Sequence, residues 1–223
     1  MKQILLLASA VIFCSCGANK FMTSSVKPDE IKELSYFEPC SYIQYIERGN
    51  KLVLSDSLSF ITIGKVESLL MKHKSTLRLS NKIEWSSQYQ KSRVENELGY
   101  LVQQINLRKG IEGITLTESI DKMLEKNGQR FGLATVVTGF SRKKGNYGGQ
   151  VVKGLALGVL SLGMIIPTPM KANVTIFTFI FDSENNEIAF YKKSKSTEDE
   201  PTDSEIIEKK LISLFYGYLY DKN

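Results

Sequence analysis

The spacing of hydrophobic positions changes several times along the chain, and each change marks an element. Ile4 to Phe13 is an uncharged apolar run without period. Residues 17 to 40 are largely polar and hold Thr23-Ser24-Ser25, Pro28 and Pro39, which predicts a flexible tether. Tyr42-Ile43-Gln44-Tyr45-Ile46 is aromatic and β-branched, the composition of a strand. Leu52-Val53-Leu54 extends it or pairs with it across Arg48-Gly49-Asn50. Leu58, Ile61, Val66, Leu69 and Leu70 fall near helical spacing, with Ser55 or Asp56 as the cap. Leu77-Arg78-Leu79 and Ile83-Glu84-Trp85 alternate, which predicts strand.

Val94, Leu98, Leu101, Val102 and Ile105 form one broad helical stripe. Thr115 and Glu118 have capping-box spacing ahead of Leu116, Ile120 and Leu124, and Gly128 is the predicted stop. From Leu133 to Phe140 both faces are apolar, the pattern of a central strand. Val174 to Phe181 reads the same way. Turn residues from Asp182 to Glu187 and a return at Ile188-Ala189-Phe190-Tyr191 predict a hairpin. After an acidic loop, Ile207, Leu211, Leu214, Phe215 and Tyr218 line a last helix. The predicted class is α/β (α+β): a small mixed sheet packed by three or four amphipathic helices, one domain over 41–223.

Between the two best strands lies a stretch from Val151 to Ile166 with one charge, Lys153. Loops normally lie on the surface and are polar, so this insert has a reason to be apolar. As a helix it would rise about 24 Å, short of the ~30 Å hydrocarbon core. It is read as core packing, as an interface between protomers, or as a segment dipping into a bilayer. Gly154 and Gly158 permit close helix approach. With Leu155, Leu162 and Ile165 they are the candidate contact residues.

The opening run takes on meaning beside its flanks. Lys2 precedes it, and Ser15-Cys16-Gly17 ends it with small residues around a cysteine. That is a secretory leader over 1–15 with a lipoprotein-type cleavage site. Cys16 is the predicted lipidation site and 16–40 the lipidated tether. Phe13 and Cys14 depart from the commonest form of that site. Gly17 is not the Asp of inner-membrane retention, so the expected location is the outer membrane, facing the periplasm. Of three cysteines in all, Cys40 would then remain single, which excludes an internal disulfide framework.

The 223 residues carry a formal charge of +5, and +4 once Lys2 has left. Basic residues are scattered, and no stacking-plus-basic motif points to nucleic acid. His73 is the single histidine, near the end of a predicted helix. No cluster has metal-ligand spacing, and Gly145-Asn146-Tyr147-Gly148-Gly149 lacks phosphate-loop or dinucleotide spacing. The sequence is read as non-enzymatic, without cofactor, metal or a known small-molecule ligand. The alternative is a glycan- or lipid-binding lipoprotein using Trp85, Tyr89 and Tyr100.

Val137-Thr138-Gly139, the glycine-rich insert, Ile180-Phe181-Asp182 and the return strand resemble a broad group of envelope lipoproteins over about residues 94–194. The group includes the curli-secretion channel lipoprotein and the TolB amino-terminal domain. Resemblance implies an outer-membrane-tethered assembly or scaffold protein that binds protein partners or itself. Asn185-Asn186 replaces the group's usual turn residues, and the insert is too short for the membrane strands of a channel.

Overall fold

The computed structural model describes residues 21–47, 51–143 and 170–220. Eight strands and four helices are present among them, in a mixed sheet. The strands are β1 (Met22–Thr23), β2 (Leu34–Phe37), β3 (Cys40–Ile46), β4 (Val53–Leu54), β5 (Leu79–Ile83), β6 (Phe131–Arg142), β7 (Asn173–Asp182) and β8 (Glu187–Lys193). The helices are α1 (Asp56–Lys72), α2 (Gln88–Arg108), α3 (Glu118–Lys126) and α4 (Ser204–Leu214). The expected α+β class is what the chain adopts.

The sheet runs β1-β8-β7-β6-β2-β5, with β3 also on β6 and β4 on β3. β6 and β7 lie at its centre, antiparallel, with Val136 opposite Phe177 and Thr138 opposite Thr175. Alternate residues of these strands serve opposite faces, as the pleat requires. Leu133, Val137, Ile176 and Ile180 join Val66, Leu70, Ile207 and Leu211 on one side. Ala134, Val136, Phe177, Phe179 and Phe181 join Val94, Leu98, Ile120 and Leu124 on the other. The result is a sheet covered by α1 and α4 on one face and by α2 and α3 on the other. Burying each of these side chains other than Ala134 contributes roughly 1.5–3 kcal/mol.

β2 and β3 follow one another along the same edge of β6, both parallel to it. Tyr36 sits opposite Leu133 and Cys40 opposite Val136, so four steps on one chain match three on the other. That is a bulge of one residue. Pro39 falls inside it, where a missing N–H costs no ladder bond. The bulge turns Glu38 toward α2.

Several predicted boundaries move for identifiable reasons. Of the tether expected over 16–40, residues 21–40 belong to the fold: Val26, Ile31, Leu34 and Phe37 are buried, and Met22 and Thr23 pair with Tyr191 and Phe190. Residues from Phe21 on, ahead of the expected start at 41, are therefore part of the folded unit. On α1, Ile61 faces solvent, and Thr62 is buried instead, its hydroxyl donating to the carbonyls of Leu58 and Pro201. Ser55 is the cap, as expected. Leu77 and Arg78 belong to a turn, with Arg78 at φ 55°, and the strand ends at Ile83, before Trp85. The capping box at Thr115 does not form. Thr115 bridges to Glu187, and α3 starts after Thr117, whose hydroxyl donates to Glu97.

Candidate functional site

The candidate site is the sheet edge at which the chain enters the fold. Among the described residues, β1 pairs only with β8. Phe21, just before it, is half-buried and packs 5.8 Å from both Phe190 and Tyr218. Lys192 lies 5.5 Å above the Phe21 ring and donates to the Ser213 carbonyl at 3.2 Å. Burial lowers the pKa of this ammonium. Tyr218 is buried, stacks 4.6 Å from Phe190 and donates to the Val26 carbonyl. Its phenol is pushed up to about 12, by burial first and then by the charges of Glu30, Asp182 and Glu187.

The turn after α4 completes this edge. Gly217 has φ 77° and is exposed, beside the Phe21 ring. Tyr216 and Tyr220 are half-exposed and meet edge to face at 5.1 Å. Tyr220 donates to the Ile212 carbonyl. The edge thus gathers aromatic rings, of which the tyrosines have an apolar body and a polar tip. Sequence reasoning missed it because Phe21-Met22 is a short apolar pair between Asn19-Lys20 and Thr23-Ser24-Ser25. The signal lay in the tyrosine spacing of Phe215-Tyr216-Gly217-Tyr218-Leu219-Tyr220.

A second polar cluster sits at the bulge. Glu38 accepts from Lys91 at 2.7 Å and from the Trp85 indole at 3.0 Å, with Lys82 at 3.9 Å. Burial works to raise its pKa, but these hydrogen bonds and the charges of Lys91 and Lys82 outweigh burial and lower it. Trp85 also stacks on Phe37 at 5.7 Å. Both its ring and its N–H are therefore engaged within the fold. Glu95 stands nearby with its pKa raised, chiefly by burial. Burial also raises the Cys40 thiol far above its ordinary value.

The remaining candidates separate. Tyr89 and Tyr100 are 76% and 51% exposed on α2, on the opposite face of the sheet from α4. Trp85 is not exposed beside them as a third platform. His73 ends α1, and its ring bonds Glu208 at 2.7 Å. Glu97 accepts from Thr117 and Ser119 and fastens α3 to α2. Cys16, Gly154, Leu155, Gly158, Leu162 and Ile165 lie outside the described residues. Surface depressions include one of about 660 Å³ lined by Lys32, Lys72, Lys74 and Arg78, whose Arg78 is spent on the carbonyls of Pro28 and Ile31. Another of about 520 Å³ lies between Ser24, Gly113 and Asn186. Among the described residues no group of three or more His, Cys, Asp or Glu is placed to hold a metal. No helix there is long and apolar enough to cross a membrane.

No family model matches the chain, and no curated protein matches it. Among solved structures, the PelC dodecamer from Paraburkholderia phytofirmans is similar at a TM-score of 0.40 and 6% identity, covering 92% of this chain and 97% of that one. A point variant of the PelC dodecamer from the same organism, in another crystal form, gives 0.39 and 6%, covering 88% and 93%. Likeness at this level carries no argument about what the chain does.

Proposed function

We propose that the protein is a lipid-anchored envelope lipoprotein that works by contact rather than by catalysis. Its place is the periplasmic face of the outer membrane, and its role is assembly or scaffolding with protein partners or with further copies of itself. The observation that carries this reading is the leader ending at Ser15-Cys16-Gly17, placed directly ahead of a domain whose sheet is covered on both faces. A leader of that length is too short to span a bilayer. An acylated cysteine supplies the anchor instead, each buried CH2 contributing ~0.8 kcal/mol.

The test is metabolic palmitate labelling of the wild type and Cys16→Ala, with and without globomycin. The wild type incorporates label and accumulates as precursor under globomycin, and Cys16→Ala incorporates none. A lipid-free pool in the cytosol that retains its leader overturns the reading. Partners are sought by crosslinking in gently solubilised envelopes. Gly158→Glu and Leu155→Asp lose those crosslinks while the circular dichroism spectrum is kept. Unchanged crosslinks in both variants remove the insert from the contact.

A further inference from the structure

We infer that the surface around Phe21, formed by Thr23, Tyr216, Gly217 and Tyr220, is the face the domain presses against the phospholipid headgroups of the membrane. The inference rests on acylation at Cys16 and goes beyond it, because an anchor alone does not say which side of a domain meets the bilayer.

The reach of the linker sets the orientation. Five peptide steps separate Cys16 from Phe21, and fully extended they span at most about 18 Å. A domain of some 200 residues has a radius of gyration of about 16 Å, hence a radius near 20 Å. The connection is no longer than the body it holds. It is fixed at its inner end, because Phe21 is packed on Phe190 and Tyr218 beneath the Lys192 ammonium. A domain so held cannot turn its far side to the bilayer. The surface that surrounds Phe21 faces it by geometry.

The chemistry of that surface fits the location. Tyrosine is enriched where one end of a side chain is apolar and the other wet, at the level of the headgroups. Tyr216 and Tyr220 flank exposed Gly217 there. Two exposed lysines neighbour, along the chain, residues that hold these tyrosines. Lys27 is exposed and adjoins Val26, whose carbonyl holds Tyr218. Lys209 is exposed one turn of α4 before Ile212, whose carbonyl holds Tyr220. Exposed lysines on this part of the chain, with the Lys192 ammonium over the Phe21 ring, suit anionic lipid phosphate.

The experiment uses the full lipidated chain in vesicles of phosphatidylethanolamine and phosphatidylglycerol carrying spin-labelled acyl chains. Single cysteines are placed by Thr23→Cys, Tyr216→Cys, Tyr100→Cys or Leu107→Cys and labelled with nitrobenzoxadiazole. Cys40 is buried and does not compete for dye. Acylation of each sample is read from the mass of its N-terminal peptide. Emission at 23 and 216 shifts to the blue, with quenching about twofold stronger than at 100 and 107 on the opposite layer. Should Tyr216→Cys fail to fold, exposed Thr23 reads the same surface. Acylated protein with equal or weaker quenching at 23 and 216 overturns this inference while leaving the anchor intact. Protein without acyl chains overturns the anchor, and the inference with it. Lengthening the chain before Phe21 by a Gly-Ser segment lowers quenching at 23 and 216 toward the level at 100. Undiminished quenching there refutes the argument from reach.

Discussion

Arg130 grips Asp182 with two parallel hydrogen bonds, Nε to Oδ1 at 3.0 Å and a terminal nitrogen to Oδ2 at 2.9 Å. Asp182 is fully buried at the end of β7, and Arg130 stands just before β6. The same carboxylate accepts from the backbone N–H groups of Glu184 and Asn185 and from the Asn185 amide. One acid thus fixes the β7–β8 turn and the start of the central strand pair. Bidentate geometry of this kind is the stronger form of ion pair. Arg130→Ala leaves the carboxylate buried without its cation. The expected loss is about 2–3 kcal/mol in urea unfolding, and Arg130→Lys recovers only part of it because the fork is gone. An unchanged midpoint for Arg130→Ala contradicts this.

Gly139 and Gly132 both lie on β6 but differ in what an added methyl group would meet. At Gly139 a Cβ would fall 2.1 Å from the Asn173 carbonyl oxygen, which is backbone of the paired strand. At Gly132 it would fall 2.5 Å from the end of the Leu124 side chain, which can move. Gly139→Ala is therefore expected to cost about 3 kcal/mol or to prevent folding, and Gly132→Ala about 1 kcal/mol. Thermal melts of the two variants give the order, and a reversed order refutes the assignment.

Glu95 and Glu38 give opposite pH dependences. Glu95 is raised, mainly by burial and further by Glu38, against the pull of Lys91. The folded state then holds its proton more tightly than the unfolded state, so this group's contribution is lost as pH rises through the folded pKa. Glu95→Gln is expected to raise the unfolding midpoint at neutral pH, with the gap closing under acid conditions. Glu38 is lowered, since its hydrogen bonds from Lys91 and Trp85 prevail over burial. Its contribution is present above the unfolded pKa and lost as pH falls through the folded one. Glu38→Gln is expected to lower the midpoint at neutral pH and to converge on the wild type in acid. Urea titrations across that range check both signs, and parallel curves sink the pairing.

The central strands were readable because burial on both faces writes itself into composition. Val136-Val137 and Ile176 to Phe181 carry no charge and are rich in β-branched and aromatic residues. The last helix was readable for a related reason, Ile207, Leu211 and Leu214 being buried along it, while Phe215 and Tyr218, expected on the same helix, are buried in the cap and turn that follow. What escaped depends on contacts distant in sequence. Lys27, Asp29, Glu30, Lys32 and Glu33 make the segment before β2 look solvated, while Ile31 between them is fully buried. Thr62 enters the core because the Pro201 carbonyl, far along the chain, accepts its proton. Trp85 reads as an exposed aromatic until Phe37 and Glu38 are placed beside it. The aromatic edge around Phe21 is assembled from the two ends of the chain, which no local window can contain.

Truncation from the N-terminus separates a tether from a structural element. Residues before 41 supply Val26, Ile31, Leu34, Tyr36, Phe37 and Cys40 to the core. At roughly 1.5–3 kcal/mol for each large side chain, their loss matches or exceeds the 5–15 kcal/mol typical of a whole domain. A chain starting at Ser41 is therefore expected not to fold cooperatively. A chain starting at Ser24 loses β1 and the Phe21 ring but keeps β2, so it should fold with about 2–3 kcal/mol less stability. A chain starting at Lys20 keeps both and is the reference. Trp85 is the probe, because its ring stacks on Phe37 and its emission follows the state of β2. Cooperative unfolding of the Ser41 chain at an undiminished urea midpoint would show that the first strands are dispensable and restore the long flexible tether.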